Sequence, residues 1–509
     1  MIGRRLFASA AYQLFGWGVG IGVTLVLTPT IISNLGVEAY GLWLLAASIF
    51  GFYGVLDLGL SVAAQRAINQ SLARNELVEA NRAVITSAYV FSIIGLVAAL
   101  LTVGIAAAAG KIVKSDALVE DFRLVVLLLG FSLALMFPTY AISGIFTANL
   151  RTDISSRIHL CKMLVRSSVI YVLVKGGYGV VAMALVTALT DVCASFVMLV
   201  FARRLAPWCR WDSTAFDVAR LWQMARVGAS FLVITITGKA KGPVPAFAMN
   251  ASLGLSGVSL FGVAQQLFDY YSRFMFSVVE VFQPLFIRQE SQGLHDRNRG
   301  DFHFAMEISM LVALVLGAGV LGSVDVFITT WLGTEFRVSV PAAIVLICTG
   351  GLSLAFQPVL QIAVAYGRQA QLAAFSIIEL GVVLVAAVPA STRFGLVGLA
   401  LAISLPGVLL RMFVLPVLIW RCIHFSVTRL LGVLAGTGAS LALAYLASGW
   451  LAERIDAQGY VAVVILGTAA AATATVAGSV LCLSSATRRR IWEFAQGFVA
   501  RKTSATPES

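Results

Sequence analysis

Two cations stand where a membrane-spanning helix would be most apolar. Between Val227 and Asn250 the chain reads Gly238-Lys239-Ala240-Lys241-Gly242-Pro243-Val244-Pro245, so that Lys239 and Lys241 sit beside four helix-weakening residues. A lysine facing lipid at the bilayer centre costs roughly 2.5 to 3.5 kcal/mol, and Pro frees backbone groups that hydrocarbon cannot satisfy. The segment makes sense if it lines a polar cavity, because Gly/Pro-interrupted helices at mid-membrane mark transporter binding sites. Paired lysines there suit an anionic group such as a phosphate. The bland alternative is that both snorkel to an interface, which their central position opposes.

The following span carries a second polar feature. Gln266, Asp269, Arg273, Ser277 and Glu280 recur at three- and four-residue steps and share one helical face, while Phe, Met and Val fill the rest. Arg273 falls at about the depth of the two lysines. Tyr270, Tyr271 and Gln266 beside it offer stacking and hydrogen-bonding groups to a bulky polar ligand. The structural alternative is that Asp269 and Arg273, one turn apart, simply neutralise each other. Further intramembrane carboxylates are Asp57, in Leu56-Asp57-Leu58-Gly59, Asp191 and Glu379, with Arg166 and Arg411 as intramembrane cations. Together with Asp269 and Glu280 these acids are the parts from which proton or sodium coupling or gating is built, and each also reads as ordinary bundle glue.

Elements of one kind must position these groups. The chain has 509 residues, 59% hydrophobic and 12% charged, and its mean hydropathy is +0.92. That composition lies far outside soluble usage and predicts an all-α polytopic membrane protein. Apolar stretches long enough to span predict about fourteen transmembrane helices: six before Arg203, six between Arg226 and Arg429, and two after it. The expected division is an N-terminal six-helix lobe over 1–215, a second six-helix lobe over 216–428, two additional helices over 429–485 and a tail over 486–509. Leu35-Gly36 and Leu253-Gly254 open corresponding helix pairs and hint at an internal repeat.

Most of the 36 Lys and Arg fall at one set of span ends, against Lys111, Lys114, Lys175, Arg337, Arg393 and Arg454 at the other. Basic loops stay in the cytoplasm, which places both termini there. The same topology accounts for the net charge of +12 without nucleic acid. Only Arg488-Arg489-Arg490, followed by an amphipathic Ile491 to Val499, points to anionic lipid. Arg4 and Arg5 precede an apolar stretch too long for a cleaved signal, so it reads as the first permanent helix. The six cysteines fall in spans or on the cytoplasmic side, and no external disulfide is expected. No Walker-type loop, metal-ligand spacing or nucleophile-base-acid set is present, so no cofactor, metal or enzymatic activity is expected.

The segments Asn34-Leu35-Gly36-Val37-Glu38-Ala39-Tyr40-Gly41-Leu42-Trp43, Leu56-Asp57-Leu58-Gly59-Leu60 and Ala64-Gln65-Arg66 resemble the bacterial polysaccharide-transporter family of oligosaccharide and O-antigen flippases. That family belongs to the superfamily of multidrug/oligosaccharidyl-lipid/polysaccharide exporters. The resemblance implies a V-shaped pair of six-helix lobes with two helices outside the core, in the bacterial inner membrane. Its implied activity moves undecaprenyl-pyrophosphate-linked oligosaccharide from the cytoplasmic to the periplasmic leaflet by alternating access. The implied partners are that lipid-linked oligosaccharide, membrane lipid, a proton or sodium counter-ion and the glycan polymerase and export machinery. Lys239, Lys241 and Arg273 match the family's cationic cavity in kind and depth, not through an alignable motif. The competing readings are a multidrug/cation antiporter of the same superfamily, whose cationic substrates these residues would repel, and a membrane glycan polymerase or ligase, which would need a large periplasmic loop.

Overall fold

The computed structural model describes residues 2–57, 59–210, 217, 222, 236–454 and 459–503. Most of the expected boundary loop after Arg210, including the expected boundary at 215, and the span from Val227 as far as residue 235 lie outside the described residues. The protein is all-α. Eleven stretches of helix among the described residues are long and apolar enough to cross a membrane. Two of them run over 56 and 52 residues, Ile236–Ser291 and Gln369–Trp420. Both are broken by glycines in the left-handed region, Gly254 at φ 71° and Gly395 at φ 58°, a conformation that a side chain disfavours.

The backbone repeats itself along the chain. Positive φ angles occur at Gly36, Asn75, Leu150 and Gly177, and again in the same order at Gly254, Gly293, Gly367 and Gly395. The separation is close to constant, about 218 residues. The interruptions inside helices recur as well. In the first set, Val37–Tyr53 gives way to a 3-10 turn at Gly54–Asp57 before Leu60–Ala73, and Asp116–Met136 to one at Phe137–Ile142 beside Pro138. In the second, the helix ending at Val279 gives way to Glu280–Phe282 before Gln283–Ser291, and Gly351–Ala355 to Gln357–Ala365 beside Pro358. Proline removes a backbone donor and crowds the preceding turn, which is why breaks form there.

The chain forms two compact units, residues 1–262 with 387–395, and 263–386 with 396–509. In the first, Ile68, Val84, Ile142, Ile145 and Phe146 are buried together. Small residues bring its helices close: a Cβ at Gly41 would lie 2.0 Å from the Leu255 carbonyl oxygen, and one at Gly95 would lie 2.5 Å from that of Ala134. Such contact is how helices associate where lipid offers no hydrophobic driving force. In the second unit, Tyr271, Met275, Val279, Met310, Phe356 and Ile419 belong to one core. Helices Val427–Ala452 and Gly459–Leu481 pack into that unit, with Gly436 against the Leu481 carbonyl and Gly478 against Leu314.

Candidate functional site

In the first unit the cationic segment adopts the broken form its sequence predicts. Helix from Ile236 stops at Ala240, Lys241–Pro243 make a turn, and helix resumes at Val244. The Gly242 amide donates to the Lys239 carbonyl at 3.2 Å, closing the turn. Lys239 is exposed, and its Nζ donates to the Gly54 carbonyl at 2.7 Å. Gly54 opens the 3-10 turn in the second helix, so one broken helix supplies a cation to a carbonyl that the other break exposes. A Cβ at Gly54 would lie 3.0 Å from that ammonium, so glycine leaves room for it. A carbonyl holds a lysine without cancelling its charge, which remains available to an anion. Lys241 is half-buried in the turn.

Asp57 closes the same 3-10 turn. It is 8% exposed, with Oδ1 accepting the Ser61 amide at 3.0 Å and Oδ2 accepting the Ser61 hydroxyl at 2.8 Å. The carboxylate thereby satisfies backbone at the start of helix Leu60–Ala73 and meets its positive end. Asp191 on Val180–Leu205 pairs with Lys162 on Thr152–Lys175 at 2.9 Å, both side chains 16% exposed. Asp57 and Asp191 each lie close enough to Tyr140 for their charges to act on its hydroxyl. Lys162 had not been singled out from sequence, because its partner is on another helix.

The second unit carries the stripe. Asp269, Arg273, Ser277 and Glu280 are exposed, whereas Tyr271, Met275 and Val279 on the opposite side are buried in the unit's core. Asp269 Oδ1 accepts from Gln265 at 2.9 Å, and the Arg273 charge acts on it from one turn away. Gln266 donates to the half-buried Tyr270 hydroxyl at 3.2 Å. Tyr271 departs from expectation: its hydroxyl donates to the Ala313 carbonyl at 3.1 Å and its ring is 4% exposed, so it belongs to the core and does not face a sugar. Its position two residues beyond Asp269 already places it on the far side of the helix. Glu280 begins the 3-10 break that ends the long helix.

Glu379, 9% exposed, joins a cluster with Arg411 and Ser353. Arg411 donates to the Ser353 hydroxyl, and the charges of Arg411 and Glu379 act on one another. A Cβ at Gly407 would meet Glu379 Oε1 at 2.7 Å and Ser353 Oγ at 3.5 Å, so glycine is required for the cluster to close. Both Arg411 and the segment just before Ser353 lie in single π-turns, Leu410–Val414 and Leu346–Gly350.

No family model matches the chain. An uncharacterized membrane protein of Bacillus subtilis (strain 168), EpsK, is 25% identical over 404 residues, covering 78% of this chain and 79% of its own length. Among solved structures, the lipid II flippase MurJ in an inward closed conformation superposes with a TM-score of 0.71 at 12% identity, over 93% of this chain and 98% of MurJ. An inward-facing multidrug resistance MATE family transporter of the MOP superfamily gives 0.61 at 15% identity over 77% and 92%. A MOP superfamily transporter from Pyrococcus furiosus, described as having a binding pocket of reversed polarity that suggests a different function, gives 0.59 at 15% identity over 84% and 97%. The expected resemblance is thus borne out in the fold: this multi-span membrane protein is built as the MOP superfamily transporters are.

Proposed function

We propose that the protein is a flippase for undecaprenyl-pyrophosphate-linked oligosaccharide, carrying it from the cytoplasmic to the periplasmic leaflet by alternating access, without covalent chemistry. The observation that carries this reading is Lys239, an exposed cation on a broken helix of a membrane-spanning stretch, held by the Gly54 carbonyl and, among the described residues, not by an acid. Lys241 and Arg273 are the further cations assigned to the pyrophosphate, and Tyr270 and Gln266 to the sugar. At an effective dielectric near 20, one cation about 4 Å from a phosphate gains roughly 4 kcal/mol, enough for two or three to offset much of the head group's dehydration. An apolar cleft of about 320 Å³ in the second unit, lined by Met310, Leu352, Met412, Leu434 and Leu441, has the chemistry to hold part of a hydrocarbon tail.

The acids divide by environment. Asp57, Asp191 and Glu379 are engaged in capping or charge clusters, which leaves the exposed Asp269 and Glu280 as the carboxylates we assign to a proton or sodium counter-ion. Fourteen crossings, cytoplasmic termini, the division at 215, 428 and 485, and delivery of the product to a glycan polymerase and export machinery belong to the same proposal. The likeness to MATE transporters supports a second reading, a multidrug/cation antiporter. The two are separated in proteoliposomes. A flippase exposes a fluorescent lipid-pyrophosphate-oligosaccharide to an external glycosidase and ignores the same sugar on a neutral lipid. An antiporter instead moves protons or sodium on addition of an organic cation.

A further inference from the structure

Helix Ser485–Thr503 carries none of the residues assigned above to the substrate or the counter-ion. After Gly459–Leu481 only Cys482, Leu483 and Ser484 intervene before helix Ser485–Thr503. Three residues reach about 10 Å at most, so this helix starts at the membrane surface. Its first turn is bolted to the second unit. The Ser484 amide and hydroxyl donate to Oε2 of Glu307 at 3.0 and 3.1 Å, and Arg429 donates to Oε1 of Glu307 at 2.7 Å and to the Ser484 hydroxyl at 2.7 Å. Glu307 is 1% exposed. The same Ser484 hydroxyl accepts the Thr487 amide at 3.3 Å. Three residues on, Arg490 donates to Asp301 at 2.7 Å and its guanidinium sits 4.4 Å from the Phe304 ring centre.

Thr487 and Arg490 thus fix one side of the helix against the bundle, and a different set of residues points away. Arg488, Arg489, Ile491 and Trp492 are exposed, Trp492 by 65%, and Arg489 also donates to Glu493 one turn on at 2.9 Å. The helix carries Arg488, Arg489, Arg490, Arg501 and Lys502 against a single acid, Glu493. Tryptophan with arginine is the composition of the headgroup layer, where an amphipathic ring and a cation are both satisfied. We propose that helix Ser485–Thr503 lies in the headgroup layer of an anionic leaflet, holding this end of the second unit against lipid phosphates through Arg488, Arg489 and Trp492. The fixed first turn means that little orientational freedom is lost when it docks.

The test uses the full chain with its six cysteines replaced, a polarity-sensitive fluorophore at Trp492→Cys and, as a second reporter, at Ile491→Cys, in nanodiscs of phosphatidylcholine with or without phosphatidylglycerol. Docking predicts blue-shifted emission and quenching by lipids brominated near the headgroup, stronger with phosphatidylglycerol and weakened by salt. Arg488→Ala should lower the ratio of docked to free helix roughly fivefold, and Arg489→Ala by less, because Glu493 already offsets part of its charge. Emission indifferent to lipid charge with full access to iodide, or a shift that follows the number of protein copies per disc, would overturn the proposal.

Discussion

The two units each place a charge pair between neighbouring membrane helices, with the signs exchanged. In the first, the cation Lys162 is on Thr152–Lys175 and the acid Asp191 on the helix that follows. In the second, the acid Glu379 comes first, on the helix begun at Gln369, and the cation Arg411 follows beyond Gly395. Both pairs occupy nearly matching places in the backbone repeat. What recurs is neutrality at that depth, not a particular residue. An unpaired charge in hydrocarbon is expensive whichever its sign, so a swapped pair satisfies the same helix contact. Neither pair leaves an acid as accessible as Asp269 and Glu280, nor a cation placed as Lys239 is.

The largest effects should come from breaking a pair. Asp191→Lys sets two cations together at a mostly buried site, and removing one partner of a buried pair typically costs about 3 to 5 kcal/mol. A sharp loss of folded protein is expected, read as a lowered Tm in detergent, whereas the exchange Lys162→Asp with Asp191→Lys should recover most of it. Failure of the exchange would show that sign matters. In the second unit Gly407→Ala drives a methyl into the Glu379 carboxylate and should cost about 1 to 3 kcal/mol, again by Tm. Gly54→Ala should change Tm little, because Gly54 has helical φ and ψ, yet it crowds Lys239 and should slow transport. Smallest is Asp57→Asn, which keeps an acceptor for the Ser61 amide and should cost about 1 kcal/mol or less. Loss of transport without loss of Tm would move Asp57 from helix cap to coupling residue.

Local signals carried much of this into the sequence. Gly238 to Pro245 announces a broken helix because Gly and Pro act on their own backbone, and the break is found at Lys241–Pro243. The stripe follows from helical periodicity alone, which also explains why Tyr271, adjacent to Tyr270, is buried. What was not legible depends on partners distant along the chain. Lys239 meets a carbonyl 185 residues away, and Lys162 finds Asp191 across 29 residues. No periodicity within one helix encodes those contacts; they require knowing which helices are neighbours.

The central claim is that Lys239, Lys241 and Arg273, on these broken and striped helices, grip a pyrophosphate. The direct measurement is leaflet transfer of a defined lipid-pyrophosphate-oligosaccharide by proteoliposomes holding the Lys239→Ala, Lys241→Ala, Arg273→Ala variant, at matched protein and Tm. Transfer reduced to the rate of empty liposomes is the predicted result; transfer at the unmodified protein's rate would contradict it.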